Sequence, residues 1–156
     1  MNPNGFRVMF SHLLKADGRG PAAKTVEFFG WLILLEGTLI LFAPRFAVSL
    51  LNLPAMVDQA ANYFRLMGLL IGGLGMLYVV NGRLNSAAFV FSSLLDRPLV
   101  PFAMATLWYF NLIAWQLALA FSIQDFGSFL WTLFTWRAEL QNTQHGSGPK
   151  VAAAVP

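Results

Sequence analysis

The chain has 156 residues, 57% of them hydrophobic and 11% charged, with a formal net charge of +3 and no cysteine. A charged fraction so far below the about 25% of an ordinary soluble domain excludes that class, and the lack of cysteine excludes disulfides, thiol redox catalysis and Cys-ligated clusters. The positive charge is no nucleic-acid signal, because the basic residues cluster outside the apolar runs, where membrane topology accounts for them.

Residues 1–24 are polar and contain no compact apolar core followed by a cleavage site, so they are expected to form a cytoplasmic N-terminal segment and not a signal peptide. Phe6–Leu14 could form one or two amphipathic turns on the membrane surface, helped by Arg7 and Lys15. A four-span bundle is expected over 25–138. The first span reads as roughly Val26–Ala43, stopped by Pro44 and Arg45, and it contains Glu36. Arg45–Pro54 (RFAVSLLNLP) is bounded by prolines, with Phe46, Leu50 and Leu53 on one face. It is expected to be a short interfacial helix or a loop with buried apolar side chains.

The second span reads as roughly Ala61–Val80, with Arg65 near its start at the interface and Asn81-Gly82-Arg83 at its end. Leu84–Leu95 follows as a second apolar connecting stretch. From Pro98 to Trp136 the chain then runs 39 residues with a single charge, Asp125, where one spanning helix needs about 20. Two spans are expected there, about Leu99–Gln116 and Leu119–Trp136. Pro98 suits a first helical turn. The alternative is one helix to Ala120 and a re-entrant segment, which would leave backbone groups unpaired in lipid. The end of the chain, 139–156, reads as a disordered tail.

Basic residues set the orientation. Arg7, Lys15, Arg19, Lys24, Arg83, Arg97, Arg137 and Lys150 fall on one side of the four-span scheme and Arg45 and Arg65 on the other. That bias places both termini in the cytoplasm and suits a bacterial inner-membrane protein.

Charges inside spans are costly, about 2.5–3.5 kcal/mol each on insertion scales. Glu36, Arg65, Asn111 and Asp125 are therefore read as an intramembrane polar cluster. Arg65 and Asp125 share a depth and could pair, as a structural clamp or as a ligand or proton site. Glu36 lies near the midplane with no basic residue at its level. It is expected to be neutral and hydrogen-bonded, to Asn111 or a threonine, in a packing or a functional role. Gly68, Gly72 and Gly75 share a helical face with Arg65 and read as a close-packing surface, as do Ser128 and Thr132 in the polar stripe of the last span.

The two histidines, His12 and His145, lie in the terminal segments, so no span can supply imidazole to a haem. No His, Cys or carboxylate cluster has metal spacing, no phosphate-binding loop is present, and no histidine can reach a serine to make a hydrolase, which leaves a membrane enzyme with an acid/base pair as a third reading. No cofactor is expected from this chain alone, although a bound lipid or quinone is compatible with it. The pattern YFRLMGLLIGGLG, a charged loop, and a last span of the type D-x-x-x-x-x-W-T-L resembles small four-helix bacterial membrane proteins of the broad DoxX-like kind over about 61–137. That resemblance implies a compact bundle and a partner, and transfers no catalytic residue. The expected function is that of an accessory or structural subunit of a larger membrane complex. The alternative is a carrier or binding protein for a lipophilic molecule, or a proton-coupled transporter. Expected partners are membrane lipids and other membrane subunits or further copies of the chain, and no nucleic acid.

Overall fold

The computed structural model describes residues 3–146, and it is an all-α membrane bundle. Its helices are α1 (Pro3–Lys15), α2 (Pro21–Phe42), α3 (Pro44–Leu50), α4 (Asp58–Arg83), α5 (Ala87–Asp96), α6 (Leu99–Tyr109) and α7 (Trp115–Gly146). Four segments are long and apolar enough to span a bilayer: Pro21–Phe42, Asp58–Arg83, Ala87–Tyr109 and Trp115–Thr143. Most large hydrophobic side chains on these helices face outward, as Phe42, Leu70, Phe102 and Phe134 do, because the surrounding hydrocarbon takes the place of a core.

The centre of the bundle is the antiparallel α2–α4 pair. Glu27 meets Gly82, Gly30 meets Val79, Leu34 meets Gly75, Gly37 meets Gly72 and Leu41 meets Gly68, backbone against backbone. Each step of three or four residues on one helix is matched on the other, so one register holds from end to end. A Cβ added at Gly30, Gly68 or Gly82 would lie 2.6–2.7 Å from a backbone nitrogen of the opposite helix. The glycines are the reason these helices can approach so closely.

The third span differs from the sequence expectation. It begins at Ala87, not at Pro98, and consists of α5 and α6 with a break at Arg97-Pro98. Ser86 starts it by accepting the Phe89 N–H through its hydroxyl at 3.3 Å. Pro98 then interrupts it, since proline offers no N–H to the turn before it. Leu84–Leu95 is therefore mostly spanning helix, and Arg97 sits inside the span instead of at the cytoplasmic surface. The turn between the last two spans falls at 110–114, earlier than expected. It is made by Asn111 at φ 56°, a left-handed conformation that asparagine tolerates.

α7 also runs on to Gly146, through residues expected to be tail. Nothing between Trp136 and Gly146 breaks a helix, and Glu139 is held in place by accepting the Ala22 N–H at 3.0 Å. The remainder of the expected tail, 147–156, lies outside the described residues. α3 takes up the proline-bounded stretch after the first span, and α1 covers the N-terminal amphipathic stretch.

Candidate functional site

Polar side chains gather at three levels. At the end where α2 begins and α7 finishes, Glu27 of α2 is buried and pairs with Arg19 and with Arg83 of α4, the latter at 2.9 Å. Trp31 Nε1 donates to the same carboxylate at 3.4 Å. Arg83 Nη1 also donates to the Leu13 carbonyl at 3.3 Å, which ties α1 to the bundle. Glu27 and Arg83 meet because the Gly82 contact brings the end of α4 against the start of α2.

One level deeper lies Arg97, with 0% of its surface exposed. The break at Pro98 turns its side chain into the bundle. Nη1 donates to Thr132 Oγ1 at 3.0 Å and to the Ser128 carbonyl at 3.3 Å. Thr132 is within 2.9 Å of the Thr25 hydroxyl. The guanidinium lies 4.0 Å from the Phe29 ring centroid and 5.2 Å from that of Tyr78, so two aromatic faces receive the cation. Nε and Nη2 have no hydrogen-bond partner. Asp96 and Asp125 are the carboxylates whose charge acts on it.

Toward the far end of α2, past its middle, lies Glu36. Gln124 Nε2 donates to Glu36 Oε2 at 3.0 Å. The pair forms the polar end of a cavity of about 210 Å³ whose other walls are apolar, among them Leu39, Leu50, Leu51, Ala120 and Phe121. Three helices make it: α2 supplies Glu36, α7 supplies Gln124, and α3 folds back across the end. Gln124 leaves its carbonyl oxygen and one N–H uncommitted, and Glu36 leaves one carboxyl oxygen. A guest in the cavity would thus meet both donors and acceptors.

These positions redistribute the residues that the sequence analysis grouped. Arg65 is exposed, and its Nη1 donates to Asn62 at 2.9 Å. α4 runs past the last α2 contact at Gly68, so Arg65 emerges beyond the seam into a cleft with Arg45 and Asp58. Among the described residues the ion pairs are Arg19–Glu27, Arg83–Glu27 and Arg45–Asp58, and Arg65–Asp125 is not one of them. The cation acting on Asp125 is Arg97. Asn111 lies in the exposed turn instead of beside Glu36, whose partner is Gln124. Gly68 and Gly75 lie buried in the α2–α4 seam with Gly72 beside them, Thr132 is fully buried, and Ser128 offers its carbonyl to Arg97.

Sequence reasoning missed Gln124, Arg97, Thr25 and Glu27. For Glu27 a signal existed, since an acid one turn into the first span and Arg83 at the end of the second must share a membrane face. For Arg97 the signal pointed the wrong way, because an Asp-Arg-Pro triplet reads as a helix start. The described residues contain no group of three or more His, Cys, Asp or Glu placed to hold a metal. The chain matches no known family model, no curated protein and no solved structure.

Proposed function

We propose that this integral membrane protein binds a lipophilic molecule whose polar end reaches Glu36 and Gln124. One observation carries this reading: a hydrogen-bonded carboxyl–amide pair stands at the inner end of an apolar cavity of about 210 Å³ between α2, α3 and α7. A polar pair in hydrocarbon is costly unless its hydrogen-bonding groups are met. This one keeps capacity directed at a space shaped for an apolar guest. The test is the bound-lipid content of the purified protein. A lipophile should co-purify with the wild type and with Glu36→Gln, and be lost from Glu36→Leu and Gln124→Leu. Equal lipid content in all four would refute the reading.

The accessory-subunit reading is kept for one observation. α6 buries none of its residues against the rest of the described chain and packs only on α7 and the end of α5. A stable protein partner recovered from native membranes, and lost on substituting Ala103 or Phe102, would favour it. In either reading we place both termini in the cytoplasm of a bacterial inner membrane, on the basic-residue bias, which persists with Arg97 removed from the count.

A further inference from the structure

The Glu36–Gln124 cavity does not end at Gln124. A second cavity, of about 300 Å³, lies on the other side of that residue and shares Ala120 and Gln124 with the first. Its walls are Phe28, Phe29 and Leu32 of α2 and Ile123, Ser128 and Trp131 of α7. The two form one furrow along the α2–α7 contact. From Glu36 to Phe28 is eight residues of α2, or about 12 Å of helix. At its far end stand Phe28 and Trp131, both exposed and packed edge to face with centroids 5.3 Å apart. Among the described residues neither cavity is lined by Lys or Arg. Arg97 stacks on Phe29, yet it is wholly buried and lines neither space.

We infer that the guest is a single-chain amphiphile with an uncharged hydrogen-bonding head. The head sits at Glu36 and Gln124, and the chain lies along the α2–α7 furrow as far as the Phe28–Trp131 pair. This inference rests on the binding reading above and gives the ligand its class. The head must exchange hydrogen bonds with a carboxyl and an amide, which a hydroxyl or a quinone carbonyl does. An anionic head would find no counter-charge along these walls. The chain must be long and unbranched enough to fill a narrow apolar furrow, and each buried methylene adds to affinity.

Native mass spectrometry of the full chain in detergent, titrated with decanol, butanol, a decyl-substituted benzoquinone, decanoate and decylamine, tests this. Decanol, whose extended chain matches about 12 Å of helix, should be retained as one adduct about tenfold or more better than butanol. The decyl quinone separates the two head sources: its retention admits a carbonyl head, and its rejection restricts the head to a hydroxyl. Leu32→Trp, which fills the furrow beyond Gln124, should erase the preference for decanol while butanol binding remains. Ile123→Trp does the same from α7 if Leu32→Trp fails to fold. An unchanged chain-length preference in the folded variants overturns the inference and leaves the binding reading standing. Stronger retention of decanoate or decylamine than of decanol overturns the uncharged head. Failure of every probe to bind the wild type, or retention untouched by Glu36→Leu, removes the binding reading itself.

Discussion

α2 carries two interfaces of opposite character. Toward α4 its backbone touches the opposite backbone at every turn, through glycines on both helices. Toward α7 its first turns are held by hydrogen bonds of Ala22 with Glu139 and Thr25 with Thr132, and from Phe28 onward it leaves a furrow crossed by the bond between Gln124 and Glu36. A seam with no room for a methyl group at Gly30, Gly37, Gly68, Gly75 or Gly82 serves as scaffold. A furrow with unused polar capacity is where the proposed guest would bind. Binding chemistry in this bundle is to be sought on the face of α2 that the glycines leave free.

The largest expected effect comes from filling the seam. Gly37→Leu places a side chain where the Gly72 backbone lies, and overpacking costs about 1–3 kcal/mol where the structure can adjust and more where it cannot. It should abolish monodisperse folding in detergent. Gly75→Leu should behave alike. If either variant keeps the wild-type melting temperature, the close approach of α2 and α4 does not exist.

Arg97 sharpens the comparison, since it braces α5–α6 against α7 beside the furrow. Thr132→Ala deprives Nη1 of its hydroxyl acceptor and should cost about 1–3 kcal/mol. Arg97→Met leaves Asp125 without its cation and should cost more than Thr132→Ala, because removing one member of a buried charge pair is strongly destabilising. A double-mutant cycle of Arg97→Met with Asp125→Asn should show coupling of about 0.5–3 kcal/mol. The same cycle with Arg65→Met in place of Arg97→Met should show none. Coupling at Arg65 would restore the pairing expected from the sequence.

Two substitutions on the α7 side should be nearly silent for stability. Glu36→Gln keeps the shape and hydrogen bonding of a neutral carboxyl, and its thermal stability should match the wild type. A strongly destabilised Gln variant would show that Glu36 is ionised and paired. Gly127→Ala meets nothing within 4 Å and should stabilise α7 by up to about 1 kcal/mol. A loss of stability there would mean that α7 is packed as tightly as α4.

Much of the scaffold was legible in the sequence. Hydropathy and length give four spans, and the Gly68–Gly75 face announces close packing. The partner face could have been read as well, since Gly30 and Gly37 repeat the seven-residue spacing of Gly68 and Gly75. The third span was misplaced because Pro98 was read as a beginning, whereas proline interrupts a helix that Ser86 had already started. That error put Arg97 at the surface and left Arg65 as the only cation available to Asp125. The pairing of Glu36 with Gln124 was beyond reach for another reason. It depends on where α7 starts, and 39 residues with one charge offer no polar boundary to mark it.

The contrast between the two faces of α2 is tested most directly by photolabelling the wild-type protein in membranes with a long-chain alcohol carrying a diazirine, and mapping the adducts by mass spectrometry. Adducts should concentrate on Leu32, Ala120, Ile123 and Trp131, decline when unlabelled decanol competes, and spare Gly30, Gly37 and Val79. Labelling spread evenly over the lipid-facing side chains and indifferent to competitor, or adducts within the glycine seam, would contradict the account.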